Sequence, residues 1–287
     1  LATQEVAPLE CVINLGEGRS ASKIEAFALA AGHCLIDVHT DPWHNRCVLT
    51  LAGPGVEPSV RAVAEAAVNL LDSNEHTGAR LALGVIDVVA FVPIRTGPAA
   101  LARYAARTPV DLAPALEARD RFATYAASEL LVPCFLYGPE RSLPEIRRGA
   151  FSEVIPDFGP ETLHPTAGAI CVGARDVLVA YNLWLALGDI SVAKEIARSM
   201  RSREVRALGL ELGGRAQVSC NLIEPWSFGP TEAFDFVAQR APVARAELVG
   251  LVPAMLLEEI PADRWPELDL GEDTTIEARL AERGLVL

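Results

Sequence analysis

The sequence predicts an α/β fold built from two β-α-β-β-α-β units with a cleft between them, and three observations carry that expectation. Short apolar runs alternate with amphipathic stretches in the same order twice along the chain. The first run of each half carries an Asn-Leu pair, Asn14-Leu15 and then Asn182-Leu183, as a duplication would leave. Between the halves lies Pro156 to Trp184, opened by Pro156-Asp157-Phe158-Gly159-Pro160 and followed by Pro165 and Gly168, too rich in turn formers for a regular element until its closing apolar run. The division is expected near Arg175, giving units of residues 1–175 and 176–287. Each unit has the element order of the ferredoxin-like, or split βαβ, motif.

Taken in order, Glu10 to Leu15 reads as a strand and Gly16-Glu17-Gly18 as a turn. Ser20 can cap a helix from Ala21 to Ala31, which sets Ile24, Phe27, Ala28 and Ala31 on one face. Cys34 to His39 is the second strand, Asp41-Pro42 ends it, and Arg46 to Leu51 returns as its hairpin partner. A helix from Glu57 to Leu71 follows, with Pro58 near its start and Val60, Val63, Ala67 and Leu70 turned inward. The glycine-bearing segment His76 to Gly84 leads into a strand from Val85 to Val92. Helices are expected over Ala99 to Ala106 and Leu112 to Leu130, a strand over Pro133 to Tyr137, and a short helix over Leu143 to Gly149. The second half reads as a strand (Val177 to Leu183), a helix (Ser191 to Met200), and a hairpin turning at Gly213-Gly214 (Leu208 to Leu212, Gln217 to Ile223). A helix (Pro230 to Arg240) and a strand (Glu247 to Val252) close it.

Composition narrows the partners. The 287 residues carry a net charge of −13, which argues against a general binder of phosphate backbones and for a small-molecule partner. No run reaches the length of uncharged apolar residues that a membrane span needs. The first ten residues show neither a basic region nor an apolar core, so no signal peptide is expected. Cys11, Cys34, Cys47, Cys134, Cys171 and Cys220 follow no metal-ligand or redox spacing and read as buried free thiols, which suits a cytoplasmic protein. His39, His44 and Cys47 offer three ligands on one short hairpin with no fourth, so no metal site is expected.

Several collinear blocks resemble the glutamate formiminotransferase family. They are ECVINLGEGR from Glu10, LIDVHTDPWHNR from Leu35, GVIDVVAFVPI from Gly84, LYGPERSLPEIRRGAF from Leu136, PDFGP from Pro156, GARDVLVAYNLWL from Gly173, AQVSCNLIE from Ala216 and ELVGLVP from Glu247. The resemblance implies two ferredoxin-like subdomains around a folate tunnel, and transfer of a formimino group from N-formimino-glutamate to tetrahydrofolate, a one-carbon step of histidine degradation. Tetrahydrofolate would be a co-substrate. The resemblance places Asn14, Glu17, Gly18, Asn45 and Arg46 at the site, with a folate-contacting loop made of Gly159, Pro160, Glu161, Thr162, Leu163, His164, Pro165, Thr166, Ala167 and Gly168. Amides and carboxylates match the donors and acceptors of a pterin, and Arg suits glutamyl carboxylates.

One motif departs from the family. Where its members read H-x-G-x-H-P-R-x-G, with the second His as general base, this chain has His76-Thr77-Gly78-Ala79-Arg80-Leu81-Ala82-Leu83-Gly84. A guanidinium stays protonated and cannot take a proton from the attacking nitrogen. His39 is the leading substitute base, because strand alternation puts it on one face with Asp37; His76 is a second candidate, and His164 lies inside the expected loop. Two functions follow: a one-carbon transferase with altered acid–base groups, or a catalytically silent folate- or pterin-binding relative. Sheet edges of such units often pair two copies, which makes a homodimer the candidate assembly.

Overall fold

The computed structural model describes residues 8–75, 83–94 and 110–285. The chain divides into two compact units at Asp176 and Val177; the first also takes in the chain from Arg283 onward, and the second is Val177–Glu282.

The first unit begins with strand β1 (Leu9–Leu15), helix α1 (Ala21–Ala31), a 3-10 turn at Gly32–Cys34, strands β2 (Leu35–Asp41) and β3 (Arg46–Ala52), helix α2 (Val56–Leu70) and strand β4 (Ile86–Pro93). Helix α3 (Ala113–Ser128), strand β5 (Cys134–Tyr137), helix α4 (Leu143–Gly149) and strand β6 (Ile170–Ala174) follow. They make one sheet in the order β2-β3-β1-β4-β6-β5. The contacts β1–β3, β1–β4 and β2–β3 are antiparallel, whereas β6 lies parallel to both β4 and β5. The second unit has β7 (Val179–Leu185), α5 (Ile190–Met200), β8 (Val205–Leu212), β9 (Arg215–Leu222), α6 (Pro230–Ala238) and β10 (Val243–Val249), then short helices α7 (Ala254–Glu258) and α8 (Ile276–Glu282). Its sheet runs β10-β7-β9-β8. Counting the four strands of each β-α-β-β-α-β run from one, both halves follow the order 4-1-3-2, so the repeat is one of topology as well as of element order.

Alternation along the strands explains the layers. In β1, Cys11, Ile13 and Leu15 are fully buried and join Phe27, Val60, Val63, Ala67, Phe122 and Ala126 in a core beneath α1, α2 and α3. Val12 belongs to a smaller cluster on the second face, where Ile146 of α4 meets Val88, Ala90, Phe135, Tyr137 and Cys171. In the second unit Tyr181, Leu183, Val218 and Leu222 pack with Ile196, Ala197, Ala233 and Val237. All six cysteines are buried and free. Among the described residues no helix is long and apolar enough to cross a membrane.

Four expectations need correction; two are brief, since Leu70, expected to turn inward at the end of α2, is exposed, and β10 begins at Val243 rather than Glu247. Pro156 to Trp184 holds a regular strand before its closing run: Ile170–Ala174 is β6, entirely buried and paired on both sides. Its five small and apolar residues lie in a glycine-rich setting that masks them, and pairing with β4 and β5 overrides that local signal. Strand β8 also starts earlier than the expected Leu208, at Val205. The helix expected over Ala99 to Ala106 lies outside the described residues.

The backbones of Gly84 and Gly168 form an isolated bridge, and a Cβ on Gly168 would meet the Leu83 carbonyl oxygen at 2.3 Å. Gly168 also has φ +72°, whereas Gly55, at φ +82°, has open space around it. Gly168→Ala should therefore cost at least about 2 kcal/mol by chemical denaturation, against about 1 kcal/mol for Gly55→Ala. Equal costs would mean that the close approach is not fixed.

Candidate functional site

At one end of the first unit's sheet, β1 and β2 finish while β3, β4, β5 and β6 begin. Asn14, Glu17 and Gly18 lie at the end of β1 and just after it, Asn45 and Arg46 precede and open β3, and Gly168 precedes β6. The connecting bonds run through the backbone: Gly16 N–H donates to Val85 O (2.8 Å) and Val85 N–H to Ala167 O (2.9 Å). Ser73 N–H donates to Thr166 O (2.7 Å), and Asn74 Nδ2 to Pro165 O (2.9 Å). The structure thus ties the loop expected to hold a ligand to the end of β1, by way of the residues just before β4.

Local chemistry fixes each group. Asn45 adopts φ +50°, a left-handed conformation that Asn tolerates, and its Oδ1 accepts from Gly18 N–H at 3.0 Å. A Cβ on Gly18 would meet Asp41 O at 2.4 Å and Arg46 N at 2.5 Å, so only glycine lets the β1 turn lie on the hairpin. Glu17 is buried and accepts from Arg19 N–H (2.8 Å) and Ser20 N–H (2.9 Å), with Lys23 Nζ at 3.8 Å. Burial pushes its carboxyl pKa up, but those amides and the ammonium outweigh it and the net shift is downward. Glu17 is therefore an anchor for the start of α1. The hairpin tip is held by Asp41, which accepts from Trp43 N–H (2.9 Å) and His44 N–H (3.0 Å) and pairs closely with His44 Nδ1.

Register decides which side chains share the second face. His39 opposes Val48, which opposes Asn14, which opposes Val88, so the four lie in one row; Asp37, Thr50 and Val12 make the neighbouring row. Asp37 and His39 do share a face, as alternation requires. Cys47 opposes Thr40 and joins the helix-side core, so it points away from His39 and cannot share a metal with it. Among the described residues no cluster of three or more His, Cys, Asp or Glu could hold a metal. His164 holds its own loop closed, because its Nδ1 accepts from Ala167 N–H (2.9 Å) and Thr166 N–H (3.3 Å). Gly159, Pro160, Glu161, Thr162 and Leu163 are exposed. His76 and Arg80, with Leu81 and Ala82, lie outside the described residues.

Two residues of this face escaped the sequence reading. Asp87, in β4, is 5% exposed and receives a hydrogen bond from Arg147 Nη2 of α4. A lone acid inside the apolar run Val85 to Val92 was the signal that could have found it, since a buried charge requires a partner. Arg147 carried no signal, because its partner is 60 residues away.

This is a two-unit α/β protein with a polar, charge-bearing end on its first sheet. Residues 8–175 match the family model described as the formiminotransferase domain, N-terminal subdomain. Glutamate formimidoyltransferase of Streptococcus pyogenes serotype M1 is 31% identical over 285 residues, covering 88% of this chain and 91% of that one. The protein of the same description from Thermoplasma acidophilum is 32% identical over 289 residues, with 88% and 90% covered. Formimidoyltransferase-cyclodeaminase of Sus scrofa is 32% identical over 294 residues and matches over 88% of this chain but 52% of its own length. The chain belongs to the glutamate formiminotransferase family.

Asp41 gives a pH test. Burial raises its pKa, but the His44 ring and the two amides prevail and hold it at about 2, below the ordinary 3.8. A depressed carboxyl contributes stability above its unfolded pKa and loses it as pH falls through the folded value. The stability gap between wild type and Asp41→Asn should narrow by about 2 kcal/mol between about pH 4.5 and about pH 2 in denaturant titrations. A gap independent of pH would show that the carboxylate is not held by these partners.

Proposed function

We propose that the protein transfers a formimino group from N-formimino-glutamate to tetrahydrofolate, the family's co-substrate, at the end of the first unit's sheet. The observation that supports this most is the convergence there of Asn14, Gly18, Asn45, Arg46 and the loop ending in Gly168, joined through Gly16, Val85 and Ala167. In the reaction the tetrahydrofolate nitrogen attacks the formimino carbon, the new C–N bond forms, and the bond to the glutamate nitrogen breaks. One proton leaves the attacking nitrogen and one reaches the departing amine. An arginine at position 80 cannot carry that proton. We assign the transfer to His39, on the same face as Asn14 and Asp37, where an imidazole can accept a proton from one nitrogen and return it to another. Asn14 and Asn45 offer amides to the pterin ring. Arg80 would act as a fixed positive charge toward a substrate carboxylate, with His76 as a neighbouring hydrogen-bonding group. The setting we infer is the cytoplasm, with a homodimer as the assembly.

A silent folate binder is the second reading, favoured by Arg80 itself. Titration with 5-formyl-tetrahydrofolate and an assay of formimino transfer separate the two. The first reading expects slow turnover that His39→Asn lowers by about 10²- to 10⁴-fold while folate affinity changes little. Binding without turnover supports the second, and absence of both overturns both. Restoring Arg80→His, Leu81→Pro and Ala82→Arg together should raise turnover and make it insensitive to His39→Asn. A restored motif that still depends on His39 would contradict the substitution of one base for the other.

A further inference from the structure

The second face of the first sheet carries charge that its local fold does not consume. Strand β4 bulges where it passes Asn14 and Leu15. Ile86 and Val89 both belong to the helix-side core although they are three residues apart, an odd spacing that strict alternation forbids. The extra residue of the bulge absorbs the difference and leaves both Asp87 and Val88 on the second face, an aim that bulges commonly provide beside sites. There Asp87 Oδ2 takes the bond from Arg147 Nη2, and the charges acting on the guanidinium of Arg46 are Asp41, Asp87 and Arg147.

The balance of this group is incomplete. Arg46 Nε, Arg147 Nε, Asp87 Oδ1 and Thr50 Oγ1 are buried without a hydrogen-bond partner, half of the eight such atoms among the described residues. A purely structural ion pair would be expected to satisfy these groups, because each buried polar atom left unmade is unfavourable. Asp41, which also acts on Arg46, is engaged by His44 and two amides, and Asp87 by Arg147, yet the buried Nε atoms of both guanidiniums and Oδ1 of Asp87 stay without a hydrogen bond. Unmatched guanidinium N–H donors and one unmatched carboxylate oxygen complement a ligand that carries a carboxylate and an N–H group together.

We propose that Arg147 and Arg46, set around Asp87, form the seat for a carboxylate of glutamate chemistry, with Asp87 Oδ1 accepting an N–H of the same ligand. This rests on the formiminotransferase reading and adds a substrate-binding group from α4 and β4. The carboxylate has two sources of identical chemistry, the glutamate of the formimino donor and the glutamyl tail of the folate.

Calorimetric titration of the full chain with L-glutamate, tetrahydrofolate and tetrahydropteroate, which lacks the tail, tests the seat. Arg147→Met should weaken L-glutamate about 10- to 100-fold, with Arg147→Lys intermediate and tetrahydropteroate within about twofold of wild type. That pattern assigns the seat to the donor. Weakening of tetrahydrofolate but not of tetrahydropteroate or free glutamate assigns it to the folate tail, and supports the proposal equally. Unchanged binding of both glutamate-bearing ligands, equal loss of all three, or no glutamate-dependent binding in wild type would overturn it. Arg147→Gln, which keeps a donor toward Asp87, is the second variant should Arg147→Met melt early. Wild type that binds L-glutamate in an Arg147-dependent way but neither folate would instead defeat the formiminotransferase reading and leave the seat standing.

Discussion

The site depends on a backbone interlock between the residues before β4 and those before β6. Gly84 lies against the carbonyl and amide of Ala167 and Ala169, with an ideal Cβ meeting Ala167 O at 2.2 Å, so the two chains touch with no side chain between them. Ala169 N–H donates to Leu83 O (3.0 Å) and Val85 N–H to Ala167 O (2.9 Å), which continues a ladder beyond the formal ends of the strands. Such bonds among buried backbone groups are obligatory once water is excluded. They decide where Gly159 to Gly168 can go: its second half is tied down, while its first half remains exposed on a fixed base. A loop that carries function needs that combination.

Each unit has an Asn-Leu pair in its first strand, and the two asparagines have different surroundings. In the second unit Asn182 Nδ2 donates to Glu247 Oε2 (3.1 Å), which also accepts from Trp184 Nε1 (2.8 Å), and Arg245 lies 3.6 Å from the same carboxylate. The cross-strand partner of Asn14, by contrast, is Val88, beside the bulge that delivers Asp87. Asn182 thus belongs to a carboxylate-centred network, whereas Asn14 lies next to an under-satisfied charge group. Packing on the helix side of both sheets is apolar and extensive, so the fold can tolerate the unfavourable polar burial on the second face of the first.

The sequence by itself determined the order of the two β-α-β-β-α-β runs, because period-2 and period-3.6 apolar patterns report which side of each element meets the core. Its resemblance to the family also pointed to Asn45 and Gly18, where the structure shows a turn amide bonded to a glycine that has no room for a side chain. It showed Arg80 where a histidine was expected, a fact of residue identity that needs no coordinates. Only the tertiary structure decided the rest. Strand β6 was hidden because its stability comes from pairing on both sides with β4 and β5, not from propensity. The bonds from Thr166 N–H and Ala167 N–H to His164 Nδ1, which close the loop on itself, exist only in the folded chain. The pairing of Asp87 with Arg147 across 60 residues, and the bulge that turns Asp87 to the same face as Asn14, are consequences of register. A one-residue shift in strand pairing sends a side chain to the opposite face while leaving the linear pattern almost unchanged, so that choice is made only when the strands meet.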